Sequence, residues 1–160
     1  MHQSRESSSK VLSPEQCLEK AQEFAAQGAW ETEVAFSKDP RHFALLERNE
    51  SFEVWLLCWE VDNDTGWHDH DGSNVGIHVP RGSVVEMRPT LGGPRERLLQ
   101  EGQGVCHDGH VIHRMCAPRE RGVSIHVYSP PLSRMGAYRV GEDGSIVRVA
   151  QNEDEALVHE

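Results

Sequence analysis

The sequence predicts a mainly β domain preceded by one or two helices. From residue 41 onward, short runs rich in β-branched residues alternate with Gly- and Pro-rich turns, at a spacing of roughly 8–12 residues that is typical of a sandwich or barrel. The run "FEVWLLCW" is apolar at both odd and even positions, which indicates a strand that is covered on both faces. Before residue 41 the clearest periodicity is helical.

A helix is predicted over residues 13–28. Ser13 is a suitable N-cap, Pro14 suits the first helical position, Gln16 can complete a capping box, and Gly28 provides a stop signal. One apolar stripe would face the rest of the domain; it consists of Leu18, Ala21, Phe24 and Ala25. A weaker helical turn is predicted in "WETEVAF".

The length of 160 residues and the hydrophobic content of 37% predict one soluble domain with a sizeable core. A polar, Ser-rich tail is expected to be disordered over 1–12. The single domain is expected over 13–150, with the helix at 13–28 and a β-barrel at 41–150, and an acidic tail follows at 151–160.

Composition excludes several classes of partner. The formal net charge of -10 argues against nucleic acids and anionic membranes, which require basic patches. The sequence contains no apolar run of about 18–20 residues and no basic-then-apolar leader, which predicts a cytoplasmic protein. Irregular spacing predicts free thiols at all four cysteines, Cys17, Cys58, Cys106 and Cys116. A monomer or a small homo-oligomer is expected.

Three of the ten histidines form a candidate metal site. His68 and His70 are two residues apart, so in a strand both side chains point to the same side. His113 lies in a later strand-like run, "HVIHRM", which can be a neighbour of the first in a barrel. Three imidazoles would leave part of the ion open to exogenous ligands, as a catalytic site requires. The alternative is a hydrated polar turn that carries histidines with no ligand role.

These residues resemble the two motifs of the cupin superfamily. His68 and His70 match the H-x-H of the first motif, and Gly82 stands at its closing glycine. His113 matches the histidine of the second motif. The resemblance implies a double-stranded β-helix, or jelly-roll, barrel that binds a metal ion.

The glutamate that usually follows H-x-H is replaced by Asn74 or Val75. A cupin with three histidines and no glutamate resembles the thiol dioxygenases, of which cysteine dioxygenase is the best-known member. "FEVWLLCW", "GWHDHDGS" and "VSIHVYSPP" carry the resemblance, which covers roughly residues 40 to 140. It implies a non-heme Fe(II) enzyme whose partners are O2 and a small thiol, and whose product is a sulfinic acid. Some members cross-link a cysteine to the active tyrosine, but Val75 stands at that position here.

Coordination chemistry supports the same expectation. Three neutral histidines leave Fe(II) with its full +2 charge, unlike a site with two histidines and one carboxylate. A cationic iron favours an anionic thiolate and lowers the pKa of the thiol. The thiol itself supplies the electrons, so no external reductant is needed.

Ser124, His126 and Tyr128 alternate along one predicted strand, so all three can face the barrel interior. The resemblance implies a hydrogen-bonded relay in which Tyr128 positions the substrate and His126 orients the phenol. It also implies a cis bond between Ser129 and Pro130. The alternative is that these three side chains only pack inside a barrel.

Cysteine-specific members carry a Tyr-x-Arg segment whose arginine binds the substrate carboxylate. In the comparable stretch, "RHFALL", His42 stands near the tyrosine position and Phe43 or Ala44 near the arginine position. Arg41 could replace the missing arginine from a shifted register, and His110 is a further pocket candidate. The predicted substrate-binding residues are therefore Arg41, His42 and His110. Other possible carboxylate partners are Arg48, Arg81 and Arg88.

Cysteine is the default substrate, and 3-mercaptopropionate and ergothioneine are alternatives with the same chemistry. A second class is a three-histidine zinc cupin that acts as a hydrolase, lyase or isomerase, because imidazole binds zinc as readily as iron. A third is a cupin that binds a small ligand without catalysis.

Overall fold

The computed structural model describes residues 10–152 and, as predicted, is mainly β with an N-terminal helix. Helix α1 spans Pro14–Gln27, and a 3-10 helix follows at Ala29–Glu33. The ten strands are β1 His42–Arg48, β2 Glu53–Trp59, β3 His68–Asp69, β4 Asn74–Arg88, β5 Arg95–Gln100, β6 Gly104–His107, β7 Arg114–Cys116, β8 Gly122–Ser129, β9 Arg134–Val140 and β10 Ile146–Asn152.

The strands form two antiparallel sheets. The larger has the order β1-β2-β8-β4-β5, with β6 and β7 also paired to β4, and the smaller has the order β10-β9-β3. Strand β4 shifts register between His78 and Arg81, so its first half pairs with β6 and β8 and its second half with β5 and β7. A bridge between His68 and His113 joins the two sheets. The bent β4 thereby closes the antiparallel sheets into a jelly-roll barrel.

Helix α1 begins and ends where the sequence predicts. The Ser13 side chain accepts from the Gln16 backbone N–H (3.1 Å), and the Gln16 side chain accepts from Ser13 N–H (2.9 Å). Gly28 ends the helix with a left-handed φ of 77°. The helix crosses β4 at Gly76, where an added Cβ would lie 2.1 Å from the Leu18 backbone nitrogen. No helix in the described part of the chain is long and apolar enough to cross a membrane.

All seven residues of β2 are buried, which confirms a strand covered on both faces. One face packs beneath α1 in a cluster that contains Cys17, Ala21, Trp30, Val54, Leu56, Cys58, Val123, Ile125 and Val127. The other faces the barrel interior in a cluster that includes Trp55, Leu57, Trp59, Val75, Ile77, Val84, Leu99, Met115 and Tyr128. Residues 10–152 therefore contain two apolar cores separated by one layer of backbone.

Described residues on both sides of the predicted domain also take part in the fold. Leu12 lies in the predicted N-terminal tail, yet its N–H donates to Ser129 Oγ (2.8 Å) and its carbonyl accepts from Asn74 Nδ2 (2.9 Å). Strand β10 runs to residue 152, and Gln151 is buried. Residues 1–9 and 153–160 of the two predicted tails lie outside the described residues.

The predicted free thiols and the predicted cis bond are present. All four cysteines are free, and burial raises the pKa of the Cys17 thiol to about 12. The Ser129–Pro130 peptide bond is cis, and so is Asp39–Pro40.

Candidate functional site

The structure brings His68, His70 and His113 together inside the barrel. One ring nitrogen from each lies within 4.8 Å of the others, and all three side chains are buried. The rings of His68 and His113 have centroids 4.5 Å apart, and each is 5.0 Å from the ring of His70. Paired backbone hydrogen bonds of 2.9 Å between His68 and His113 hold the two segments side by side. Strand pairing therefore assembles the cluster predicted from H-x-H and the later histidine.

Hydrogen bonds orient two of these imidazoles. His68 Nδ1 donates to the Gly66 carbonyl oxygen (3.0 Å), and His113 Nδ1 donates to Glu86 Oε2 (2.9 Å). Such partners fix the tautomer and leave Nε2 as the ligand atom. His113 Nε2 and His70 Nδ1 are buried and have no hydrogen-bond partner among the described residues. Buried imidazole nitrogens without partners fit a site built for a metal ion.

The cluster is electrostatically suited to bind a cation. Burial, together with the nearby Arg41 and His107, lowers the pKa of His68 to about 4. Burial and the neighbouring histidines place the pKa values of His70 and His113 well below 6.5. The imidazoles are therefore neutral at physiological pH, which is the form that binds a metal.

His107 is a fourth histidine beside the cluster, and the sequence analysis assigns it no role. Its ring centroid lies 4.6 Å from that of His113 and 5.4 Å from that of His70. Nδ1 donates to the Asp108 carbonyl oxygen (3.0 Å), and Nε2 lies 4.0 Å from Glu86 Oε2. Glu86, His107 and His113 form a second group whose possible ligand atoms lie within 4.8 Å of one another. Only a prediction of strand pairing could have found it, because β6 brings His107 opposite Val75 on β4.

Ser124, His126 and Tyr128 form the predicted hydrogen-bonded chain. His126 lies 2.7 Å from Ser124 Oγ through Nε2 and 3.3 Å from the Tyr128 hydroxyl through Nδ1. Trp59 extends the chain, since its indole N–H donates to Ser124 Oγ (2.8 Å). Because Ser124 Oγ accepts from Trp59, its hydroxyl hydrogen can be donated to His126 Nε2. His126 then carries its own hydrogen on Nδ1 and donates it to the phenol oxygen. These hydrogen positions are inferred from the network of contacts.

The relay ends at the histidine cluster. The Tyr128 ring centroid is 5.4 Å from that of His70. Burial, together with the nearby Arg41, His68 and His107, lowers the pKa of His126 to about 3. His126 is therefore neutral at physiological pH and can donate through one ring nitrogen while it accepts through the other.

Asp69, between the two histidines of H-x-H, anchors that segment to the second sheet. Its carboxylate accepts from the Tyr138 hydroxyl (2.5 Å), from Arg148 Nε and Nη2 (both 3.0 Å) and from Gly136 N–H (3.2 Å). Burial by itself would raise the pKa of Asp69, but the bonds from Arg148 and Tyr138 hold it below its usual value. A buried carboxylate with this many donors fixes the backbone on which both flanking histidines are mounted.

Arg41 is buried and lies beside the site. Its guanidinium packs over the Trp59 ring, 4.6 Å from the centroid. Its charge lowers the pKa of both His68 and His126. Phe43, two residues later, packs edge-on against Trp55 in the interior core, so this face of β1 points into the barrel. Of the three predicted substrate-binding residues, Arg41 is the one that the structure brings to the site.

The structure places His42 and His110 elsewhere. His42 alternates with Arg41, so its side chain points to the opposite face of β1, where Nε2 contacts the Glu33 carbonyl oxygen (2.9 Å). His110 is exposed, and its backbone N–H donates to Asp108 Oδ1 (2.8 Å) in the loop after β6. The substrate roles of His42 and His110 therefore stay predictions that these contacts do not support.

The other predicted arginines are also accounted for. Arg48 pairs with Glu53 (3.0 Å), and Arg81 lies over the Trp30 ring, 5.1 Å from its centroid, on the helix side of the sheet. Arg88 pairs with Glu86 at the end of β4 (3.1 Å). Among these arginines, Arg41 is the buried one, and its charge acts on His68.

Trp55 can donate a hydrogen bond to a bound ligand, whereas the sequence pattern indicates only that it belongs to the core. It stands directly opposite His126 in the β2–β8 pairing and belongs to the interior cluster. Its indole N–H is buried and has no hydrogen-bond partner among the described residues. Because an unpaired buried donor is costly, a bound ligand is a natural acceptor for it.

The chain has relatives of known family. The family model described as "Cysteine dioxygenase type I" matches residues 16–140. The chain is 25% identical over 129 residues to cysteine dioxygenase type 1 of Homo sapiens, covering 65% of this chain and 64% of that protein. It is 31% identical over 97 residues to the enzyme of Danio rerio, covering 53% and 48% respectively. The matches therefore span about half to two thirds of these relatives.

Solved structures support the predicted cupin fold. A protein with a double-stranded beta-helix domain from Klebsiella pneumoniae matches with a TM-score of 0.57 and 10% identity, covering 77% of this chain and 96% of that one. An RmlC-like cupin protein from Desulfovibrio desulfuricans matches with a TM-score of 0.53 and 16% identity, covering 61% and 90%. At these identities the likeness concerns the fold alone.

Proposed function

This chain belongs to the cysteine dioxygenase type I family, and from that premise we propose that it is an Fe(II)-dependent thiol dioxygenase. It would add both atoms of O2 to the sulfur of a small thiol that carries a carboxylate, so that one thiol and one O2 give one sulfinic acid. One observation carries the proposal: three buried, neutral histidines lie beside the hydrogen-bonded series of Ser124, His126 and Tyr128.

The residues present fit the metal. His68, His70 and His113 would hold it, because they are neutral and include buried ring nitrogens that no other group satisfies. When bound, Fe(II) would bring the thiolate and O2 together. Because the three histidine ligands are neutral, the ion would keep its full +2 charge. Glu86 would orient His113 through its hydrogen bond of 2.9 Å, and Gly66 would orient His68 in the same way.

Arg41 would bind the substrate carboxylate. It is the buried cation whose charge is felt at His68 and His126, so a carboxylate beside the metal site would gain a charge-assisted hydrogen bond. The N–H of Trp55 would be a second donor. This clamp favours thiols with a carboxylate over cysteamine, which has none.

The walls of the interior favour a small substrate. Phe43, Trp55 and Trp59 occupy the β1–β2 side of the barrel beside Arg41. These large rings would leave room for cysteine or 3-mercaptopropionate more readily than for ergothioneine, which carries an imidazole-thione ring and a trimethylammonium group. Shape and charge therefore favour cysteine and 3-mercaptopropionate, the two small thiols that carry a carboxylate.

Tyr128 would hold a proton beside the reacting sulfur. Because His126 Nδ1–H donates to the phenol oxygen, the phenolic hydrogen is directed away from His126. Ser124 and Trp59 keep His126 in that tautomer. The relay would orient the substrate and stabilise developing negative charge without becoming charged itself.

The test is oxygen consumption by the Fe(II)-loaded protein with four thiols: cysteine, 3-mercaptopropionate, cysteamine and ergothioneine. We expect uptake with cysteine or 3-mercaptopropionate, a sulfinate product by mass spectrometry, and rates for cysteamine lower by at least about tenfold. His113→Ala should abolish uptake, and the exposed His110→Ala is the matched control. Full zinc occupancy in the purified protein, with no uptake on any thiol after iron loading, would favour zinc-dependent chemistry instead.

A further inference from the structure

A cavity of about 520 Å³ lies where the end of β4 pairs with the start of β5. Its lining consists of three arginines and two glutamates: Glu86, Arg88, Arg95, Glu96 and Arg97. Three guanidinium groups around one opening are unusual in a chain of net charge -10, where the overall field does not call for a basic patch. The proposed thiol reaction does not use this cavity.

Strand register directs the arginines to one face. Glu86 stands opposite Arg97, and Arg88 stands opposite Arg95. Residues directly opposite each other in an antiparallel pair share a face, and every second residue along a strand does the same. The next pair inward along the same face, Val84 and Leu99, is fully buried in the interior core. The arginines therefore line the outward continuation of the barrel interior.

Three arginines face two glutamates in this cavity, which leaves one positive charge in excess. Like charges directly opposite each other, as at Arg88 and Arg95, destabilise a strand pair. Glu86 is already committed, because one oxygen accepts from Arg88 (3.1 Å) and the other from His113 (2.9 Å). In the part of the chain that the structure describes, no carboxylate lies within ion-pair distance of Arg95 or Arg97.

We propose that this cavity binds a small oxyanion that carries at least two negative charges, such as a phosphate group or a dicarboxylate. A multiply charged oxyanion would relieve the repulsion between Arg88 and Arg95, and planar guanidinium groups bind phosphate and carboxylate in a bidentate manner. The volume is ample, since a water molecule occupies about 30 Å³ in the liquid. Glu86 forms the wall shared with His113, so the bound anion would lie one side chain away from the histidine cluster.

The test is calorimetric titration of the full-length protein with inorganic phosphate and, separately, with succinate, at constant ionic strength. We expect saturable binding of at least one anion to the wild type, weakened by at least about tenfold in Arg95→Gln/Arg97→Gln. Both arginines are exposed, so the fold should persist. The control Arg119→Gln/Arg139→Gln removes the same charge from exposed arginines outside this cavity and should bind like the wild type.

The titration both tests the site and identifies the class of anion. Binding of phosphate alone identifies a phosphate group as the ligand, and binding of succinate alone identifies a dicarboxylate. No saturable binding of either, or equal weakening in both double variants, overturns the proposal. His70→Ala should retain the binding, which separates this cavity from any anion held by a metal. The result is thus independent of whether the protein oxidises thiols.

Discussion

The two faces of the β2–β8 ladder are made from alternate residues of the same strands, yet their chemistry is opposite. The face under α1 is wholly apolar on these strands, with Val54, Leu56, Cys58, Val123, Ile125 and Val127. The face toward the barrel interior carries Trp55, Leu57, Trp59, Ser124, His126 and Tyr128. Burial is nearly complete on both sides, so exposure does not distinguish them.

The difference shows how one sheet separates stability from chemistry. The helix-side face gains free energy from apolar area, which needs only shape and volume. The interior face buries polar atoms, and each needs a partner: Trp59 donates to Ser124, and Ser124 and Tyr128 both bond to His126. Substitutions on the first face should change the unfolding free energy, and those on the second should change turnover.

Among the variants that compare the two faces, Ile125→Ala on the helix-side face should cause the largest loss of unfolding free energy. Ile125 is fully buried, and its truncation leaves a cavity that lowers the unfolding free energy by about 2–5 kcal/mol. Turnover per folded molecule should stay within about twofold, as measured by urea unfolding and by oxygen uptake at low temperature. A loss of turnover comparable to that of the interior variants would show that the two faces are not separable.

Tyr128→Phe should show the reverse pattern. Removing the phenol oxygen deletes the last group of the relay while the ring remains packed 5.4 Å from that of His70. We expect kcat/KM for the best thiol to fall by about 10²-fold, with an unfolding free energy within about 1 kcal/mol of the wild type. Unchanged kcat/KM, with a folded and iron-loaded variant, would assign Tyr128 to packing.

Acid should destabilise the interior face. The pKa of His126 is about 3 in the folded protein because of its burial, below its ordinary value of 6.5 in the unfolded chain. The unfolded chain therefore takes up this proton first, and the stability present above pH 6.5 is progressively lost as pH falls toward 3. This group alone should lower the unfolding free energy by about 2 kcal/mol at pH 5 relative to pH 8.

Matched variants isolate that contribution. His126→Gln should show a smaller loss between pH 8 and pH 5 by about the same 2 kcal/mol, in urea unfolding of the metal-free protein. His110→Gln, at an exposed histidine, should behave like the wild type. Identical pH dependence in both variants would mean that His126 is not buried in its neutral form.

Glu86→Gln extends the comparison from β8 to β4. The amide can still accept from His113 Nδ1 but carries no charge, so the imidazole becomes a weaker ligand. We expect roughly tenfold weaker Fe(II) or Co(II) binding in anaerobic titration. Glu53→Gln is the control, because Glu53 is also buried but contacts Leu132 N–H and Arg48 instead. Equal weakening in both variants would contradict a specific role for Glu86.

Patterns local in sequence predicted much of this molecule. The cap residues set the limits of α1, and the period of two placed Ser124, His126 and Tyr128 on one face of β8. The same period separates Arg41, which packs over Trp59, from His42, which faces the other way. Adjacent strand residues face opposite ways, and the sequence does not reveal which one points inward.

Contacts between distant segments were not predictable in this way. Glu86 reaches His113, and Asp69 reaches Arg148, only because β4, β7, β9 and β10 pair in a particular register. The register shift within β4 decides which residues of its second half face the site. His107 likewise has no local signal, because its place depends on the pairing of β6 with β4.

The smallest change in stability and turnover is expected when Trp59 or Trp30 is replaced by Phe. The indole N–H groups of these two tryptophans donate hydrogen bonds on opposite sides of the sheet. Trp59 donates to Ser124 Oγ (2.8 Å) in the interior, and Trp30 donates to the Ala25 carbonyl oxygen (3.0 Å) beneath α1. Replacing either with Phe removes one such bond, worth about 1 kcal/mol, and a similar volume.

Only Trp59→Phe should also disturb the relay. Without the indole donor, Ser124 Oγ can accept from His126 Nε2–H, which would reverse the hydrogen bonds toward Tyr128. We expect kcat/KM to fall severalfold for Trp59→Phe, less than for Tyr128→Phe, and to stay unchanged for Trp30→Phe, in oxygen-uptake assays on protein of equal iron content. Equal kcat/KM values in the two tryptophan variants would show that Trp59 has no part in the relay, which would then begin at Ser124.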